Sequence, residues 1–113
     1  MNNKELALMA AHVLDEKKAL DVTLIDIQEK ASFADYLIIC HGTSERQINN
    51  LVDYVEEALA KENLFTKSVE GKSGSPWILM DYGDIIINLF TEEARSKFNL
   101  EKVWGDCPKV DIE

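Results

Sequence analysis

The sequence predicts an α/β domain in which helices flank a mixed β-sheet. Two segments, residues 6–14 and 48–59, repeat apolar side chains at the spacing of an amphipathic helix. Short runs rich in β-branched residues stand between and after them, as is typical of strands. The 113-residue length and the 46% apolar composition suit one domain that buries a core without a disulfide or a metal.

The first part of the chain predicts one helix followed by two strands. The first apolar stripe indicates a helix over residues 3–19, and Asn2 with Glu5 has the spacing of a capping box. Residues 22–27 are rich in β-branched side chains and predict a strand. Residues 36–40 are apolar at every position, which favours a central strand covered on both faces. We expect these two strands to pair as a hairpin.

The middle of the chain predicts a second helix and then a weak strand. Ser44 and Gln47 have the spacing of a capping box, so the helix should begin there and run to about residue 62. Residues 64–69 predict a short strand at the edge of the sheet.

The last part of the chain predicts a hairpin and a short helix. Residues 77–80 and 85–90 are strand-like, and Gly83 between them supplies the positive φ that a tight turn needs. Thr91 is placed to cap a helix over residues 92–98, whose first turn is acidic. Residues 100–104 predict one further turn.

These elements give the order α-β-β-α-β-β-β-α within one domain. We assign residues 1–104 to that domain and residues 105–113 to a loose C-terminal tail. The second and third strands are joined by a helix, so they should be parallel or separated in the sheet.

The charge balance bears on the partner class. Twelve basic and 21 acidic residues give a formal charge of −9, and the basic residues are scattered among acids. Nucleic-acid binders concentrate cations on one face, so direct nucleic-acid binding is not expected. An acidic surface favours basic protein partners, although the same charge also serves solubility alone.

Compartment and redox state follow from simple patterns. The apolar runs are far shorter than the roughly 20 residues of a membrane span, and the N-terminus has neither signal-peptide nor transit-peptide form. A cytoplasmic protein without membrane contact is therefore expected. Cys40 lies in an apolar run and Cys107 lies near the C-terminus, and their separation matches no metal-binding or redox motif.

One segment bears on whether the protein is an enzyme. Gly42-Thr43-Ser44 follows an apolar strand and precedes a helix, as in the phosphate site of nucleotidyltransferases. Those enzymes also need two acids spaced Asp-x-Asp on one strand to share metal ions. Asp81 and Asp84 are three apart, so the sequence favours a nucleotidyltransferase-like fold without catalytic carboxylates, cofactor or metal. A small nucleotidyltransferase that acts on a nucleotide at Gly42–Ser44 stays open as the alternative.

Two aromatic residues point to protein binding. Tyr82 lies in the predicted turn, where Asn, Asp or Gly is usual, and a tyrosine there exposes a large amphipathic ring. Trp77 opens the preceding strand. Tryptophan and tyrosine near acids are the usual composition of a binding hot spot. The alternative is that Trp77 belongs to the core and Tyr82 covers its own hairpin.

Five segments, taken in their order along the chain, form a pattern typical of one protein family. Together they resemble the ribosomal silencing factor family, also called the Iojap or RsfS family, from about residue 6 to residue 104. The segment with a tryptophan ahead of Asp-Tyr-Gly-Asp is the most specific. The five are Gly42-Thr43-Ser44, Val69-Glu70-Gly71, residues 77–87, Glu93-Ala94-Arg95 and residues 100–104.

The resemblance implies a function. It implies a nucleotidyltransferase-like fold that does not catalyse a reaction. It implies binding to large-subunit ribosomal protein fourteen, on the face that meets the small subunit. The bound factor would block association of the subunits and lower translation when nutrients are short. Relatives that self-associate make a homodimer an open alternative.

The resemblance also carries over a binding surface residue by residue. It places Trp77, Leu79 and Tyr82 on the partner-binding surface, with Asp81 and Asp84 as acidic contacts to a basic ribosomal protein. The chain departs from the family at two other positions. Asn88 stands where relatives often have histidine, and Phe98 stands where they often have tyrosine, so a polar contact made there by relatives would be altered.

Overall fold

The computed structural model describes residues 1–72 and 74–112. Within them the predicted order of elements is confirmed, and a fourth helix and a sixth strand follow it. The helices are α1 (Asn3–Glu16), α2 (Glu45–Ala60), α3 (Glu92–Phe98) and α4 (Leu100–Val103). The strands are β1 (Leu20–Asp26), β2 (Tyr36–Gly42), β3 (Ser68–Glu70), β4 (Trp77–Asp81), β5 (Ile85–Thr91) and β6 (Lys109–Val110).

The strands form one mixed sheet with the order β3-β4-β5-β2-β1-β6. β1 and β2 pair antiparallel, which confirms the predicted hairpin. β2 pairs with β5 in parallel, and β4 and β5 form the second hairpin. β2 is buried at nearly every position, as its apolar sequence predicted. β3 lies at one edge, so the second and third strands are separated in the sheet.

The C-terminal segment is a correction to the expected loose tail. β6 pairs with β1 through Leu24 and Val110, and the carbonyl of Pro108 accepts a hydrogen bond from the Asp26 amide at 2.9 Å. Lys30 also donates to the Asp106 carboxylate at 2.8 Å. The segment is short and polar, which hid its pairing from sequence patterns, and it satisfies backbone groups on the edge of β1. Glu113 lies outside the described residues.

The helix starts follow the predicted capping chemistry with one difference. At α1, Asn2 and Glu5 form both reciprocal bonds of the capping box. At α2, Ser44 Oγ accepts from the Gln47 amide at 3.1 Å. The Gln47 side chain does not return to Ser44, because its carbonyl oxygen accepts instead from the Thr43 amide at 2.6 Å.

The sheet separates two apolar cores. Helices α1 and α2 pack on one face, over a large cluster that includes the alternate residues Ile78, Met80 and Leu89. A smaller cluster on the other face lies beneath α3 and the segment after β1, and includes Ile39 and Phe90. Among the described residues, no helix is long and apolar enough to cross a membrane.

Candidate functional site

The second face of the sheet leaves part of β4 uncovered. Trp77 and Leu79 point to this face, since they pair with Phe90 and Asn88 of β5 and alternate with the buried residues of the first core. Both side chains are only partly buried. They line a shallow depression of about 210 Å³ together with Glu70 and Gly71. The structure therefore brings together two of the side chains predicted from the sequence.

A buried amide fixes the orientation of the Trp77 ring. The indole Nε1–H donates to Asn88 Oδ1 at 2.9 Å, and Asn88 is only 1% exposed. Loss of this bond would leave the buried Asn88 Oδ1 without its donor at a cost of about 1–3 kcal/mol, so the bond holds the ring in one place. In the sequence, Asn88 stood out only as a departure from the family. Its signal was a single amide inside an otherwise apolar strand.

Aromatic rings extend the surface from β4 to α3. The Trp77 ring lies 5.1 Å from Phe90 and 5.1 Å from Phe98, measured between centroids. Phe90 is buried, whereas Phe98 remains 48% exposed. We define the Trp77 face as Trp77, Leu79 and Phe98. The sequence did not assign Phe98 to the site, because its position at the end of a short helix does not reveal which ring it meets.

The expectation that Tyr82 exposes its ring is wrong. Tyr82 is 5% exposed and belongs to the core beneath α1 and α2. The alternation of β4 continues into the turn, so Tyr82 follows Met80 to the first face of the sheet. Its hydroxyl is buried and has no hydrogen-bond partner among the described residues. Burial, with the nearby Glu56 carboxylate, raises the pKa of Tyr82.

The two predicted acidic contacts serve different ends. Asp81 Oδ1 accepts from the Gly83 amide at 2.7 Å, so this carboxylate holds the turn. Gly83 has φ +89°, as the tight turn predicted. Asp84 is exposed, and its backbone carbonyl accepts from the amides of Asp35 and Tyr36. Asp81 lies beside the Trp77 face by alternation, while Asp84 lies on the far side of the turn.

In the segment Gly42–Ser44, polar groups of Thr43 are hydrogen-bonded within the protein. The amide and the hydroxyl of Thr43 both donate to Gln47 Oε1, at 2.6 and 2.9 Å. A Cβ on Gly42 would lie 2.8 Å from the same oxygen. Two of the donors that this segment could offer to a phosphate are therefore already bonded to α2. Within residues 1–72 and 74–112, no three His, Cys, Asp or Glu side chains converge in a way that suits a metal ion.

A buried guanidinium joins α3 to the start of the sheet. Arg95 is 7% exposed, and it forms a bidentate pair with Glu101 at 2.9 and 3.0 Å. Its Nη1 also donates to the Asp21 carbonyl at 2.7 Å and to His41 Nδ1 at 3.0 Å. The hydrogen bond from Arg95 lowers the pKa of Glu101 below its ordinary value. This network gives His41 a structural role.

Comparison with known proteins identifies the family. The family described as "Ribosomal silencing factor during starvation" (RsfS) matches residues 1–113, the whole chain. The chain belongs to the RsfS family. The predicted resemblance is thereby confirmed, and the mixed α/β fold with it.

Individual relatives agree with this family assignment. The ribosomal silencing factor RsfS of Halalkalibacterium halodurans is 34% identical over 113 residues, which is 100% of this chain and 97% of the relative. A mouse protein named for mitochondrial assembly of the ribosomal large subunit is 29% identical over 85% of this chain and 43% of its own length. A crystal structure of protein CV0518 from Chromobacterium violaceum superposes with a TM-score of 0.89 at 26% identity, covering 93% of this chain and 88% of that one.

Proposed function

We propose that this RsfS-family protein binds the large ribosomal subunit through ribosomal protein fourteen and blocks association with the small subunit. Family membership supports a ribosomal partner, as does the name of the mouse relative. The observation that carries the proposal is the Trp77 face. Two apolar side chains and an exposed phenylalanine lie together on a sheet face, and a buried amide fixes the central ring.

An orientation fixed before binding favours affinity. An aromatic side chain that is already immobilised loses little conformational entropy when a partner covers it. Trp77 has its indole N–H satisfied inside the protein, so burying the ring against a partner leaves no polar atom stranded. Leu79 and the depression beside it offer a place for an apolar side chain of the partner. These are the features of a hot spot.

The proposed mechanism is occupancy. The domain measures 32 × 32 × 26 Å along its principal axes. Covering about 800 Å² of its surface would make an ordinary interface, and the remaining bulk would stand out from the large subunit. A small subunit cannot approach the same place, so translation would fall with the fraction of large subunits occupied. No catalytic step, metal or cofactor is part of this proposal. A ribosomal partner would require the protein to be in the cytoplasm, where ribosomes are.

The charge of the chain supports a basic partner. With a formal charge of −9, the protein is attracted to a basic ribosomal protein before contact. The association rate should therefore fall as salt is added, because salt screens charges beyond about 10 Å at 0.1 M. An association rate that ignores salt would contradict the steering part of the proposal.

Co-sedimentation with purified large subunits tests the surface. Trp77→Ala should weaken binding about 30-fold, the equivalent of about 2 kcal/mol for a hot-spot residue. Tyr54→Ala is the matched control, since Tyr54 is 43% exposed on α2 at the opposite face and should leave binding unchanged. Equal binding by both folded variants would remove Trp77 from the interface. A wild-type chain that neither binds large subunits nor prevents their joining would overturn the proposed function.

A further inference from the structure

A second depression adjoins the Trp77 face. It lies between the starts of α2 and α3 and has a volume of about 710 Å³. Pro76 and Phe98 form its apolar side, and both are exposed. Phe98 lines this depression and its ring also lies 5.1 Å from the Trp77 ring, so the residue belongs to both features. The two features therefore form one continuous surface.

The polar side of this depression is acidic. Glu45 begins α2, and Glu92 and Glu93 begin α3, and all three are exposed. In the part of the chain that the structure describes, Glu45 and Glu93 form no ion pair, and Glu92 lies 4.0 Å from His41 Nε2. The lining also includes one cation, Lys97, whose Nζ is 5.9 Å from the Phe98 centroid. The acids outnumber it three to one.

Acids in the first turn of a helix have an ordinary structural role, because they complement the helix dipole. That role does not account for an exposed aromatic ring beside them. Phe98 keeps 48% of its surface in solvent although it packs on Trp77 and Phe90. An apolar ring next to unpaired carboxylates matches the chemistry of a lysine or arginine, which packs its aliphatic stem on an apolar surface and directs its charge to an acid.

We propose that the docking surface continues from Trp77 across Phe98 into this depression, and that its occupant there is a basic segment of the same partner protein. This inference rests on the proposed function. A lysine or arginine of the partner lays its stem against Phe98 and places its charge near Glu45 and Glu93. Trp77 and Leu79 supply the apolar centre of the interface, and the acids supply its charged rim. Phe98 is then a binding residue in its own right.

Substitution of the ring tests the extension. Phe98→Ala should weaken binding to purified large subunits about tenfold, as expected for loss of an exposed aromatic contact at an interface. Phe98→Tyr keeps the ring and should bind within about twofold of wild type. Tryptophan fluorescence measured in a Trp104→Phe background, where Trp77 is the remaining tryptophan of the sequence, and thermal unfolding identify a variant in which the indole has moved or the fold has been lost. A correctly folded Phe98→Ala chain that binds like wild type overturns the proposal.

Charge substitution tests the chemistry of the occupant. Glu45→Gln with Glu93→Gln should lower affinity about tenfold at low salt and reduce its salt dependence. The matched control is Glu16→Gln with Glu57→Gln, which changes the net charge equally at the α1–α2 surface and should cost less than about threefold. Equal losses in the two double variants would reduce the acids to long-range attraction and overturn the basic-segment proposal.

These outcomes separate the two proposals. If the wild-type chain does not bind large subunits, the proposed function fails. If it binds, and Trp77→Ala weakens it while the Phe98 and glutamate variants do not, the proposed function survives and the extension fails. A partner variant with a lysine or arginine changed to glutamate, tested against Glu93→Lys, should recover part of the lost affinity if the two charges meet.

Discussion

Replacing Arg95 by methionine should destabilise the protein more than any surface substitution. Methionine keeps much of the length and apolar stem of the side chain but removes every donor. The bidentate partner Glu101 would lose both of its bonds, at 2.9 and 3.0 Å. The Asp21 carbonyl, which accepts at 2.7 Å, and His41 Nδ1, at 3.0 Å, would lose theirs.

The magnitude follows from the burial of the groups left behind. Removing one partner of a buried ion pair costs about 3–5 kcal/mol, but the Glu101 side chain is 32% exposed and can regain some water. We therefore expect a loss at the lower end, about 3 kcal/mol. For a domain of this size that corresponds to a fall of about 12 °C in Tm.

Urea unfolding at pH 7, followed by circular dichroism, measures this loss. Arg95→Lys is the informative comparison, because it retains the charge and removes the planar fork, and it should lie between wild type and Arg95→Met. A loss below about 1 kcal/mol for Arg95→Met would refute the reasoning, since exposed ion pairs alone reach that value. The m-value should stay constant if the substitution acts on the folded state.

Three further predictions concern acid stability, core packing and backbone geometry. The folded pKa of Glu101 is below its ordinary 4.5, so the Arg95–Glu101 pair stabilises the fold above that pH, and this contribution is lost as pH falls through the folded pKa. In acid titrations monitored by circular dichroism, Glu101→Gln should therefore lose stability less steeply than wild type. Phe90→Ala should cost about 3–5 kcal/mol in urea unfolding, since Phe90 is fully buried in the smaller core and its ring packs on Trp77. A cost below about 2 kcal/mol would contradict its placement. Gly71→Ala should lower both Tm and large-subunit binding, because Gly71 has φ +87° and a Cβ there would lie 2.2 Å from the Trp77 carbonyl oxygen. An unchanged Tm and unchanged binding would contradict this close approach of the Gly71 and Trp77 backbones.

The sequence predicted most of the fold because its elements carry local signals. The helical stripes, the apolar run of β2 and the turn at Gly83 each depend on residues near one another in the chain. The parallel pairing of β2 with β5 and the strand β6 do not. β6 pairs two residues of a polar segment with β1, more than 80 positions earlier, and no local pattern reports a contact of that kind.

The candidate site was predictable only in part, for the same reason. The family resemblance, rather than a local pattern, put Trp77 and Leu79 on one surface, and the structure places both side chains on the same face of β4, as their spacing of two requires. That rule, extended to Tyr82 through Met80, would have predicted burial rather than exposure. Phe98 and Asn88 reach the site from another helix and from the neighbouring strand. The role of Asn88 depends on the register between strands and that of Phe98 on how α3 packs against the sheet, and composition determines neither.

The hydrogen bond between Trp77 and the buried Asn88 bears on how an exposed apolar face stays available. An unsupported tryptophan on an exposed sheet face would gain by folding back over neighbouring apolar groups. Here the indole N–H already has an acceptor within the protein, and moving the ring would strand the Asn88 amide in the core. The same bond that holds the ring in place therefore keeps the Trp77 face open. In a protein proposed to act by occupying space on another particle, a rigid and permanently presented surface is what steric exclusion requires.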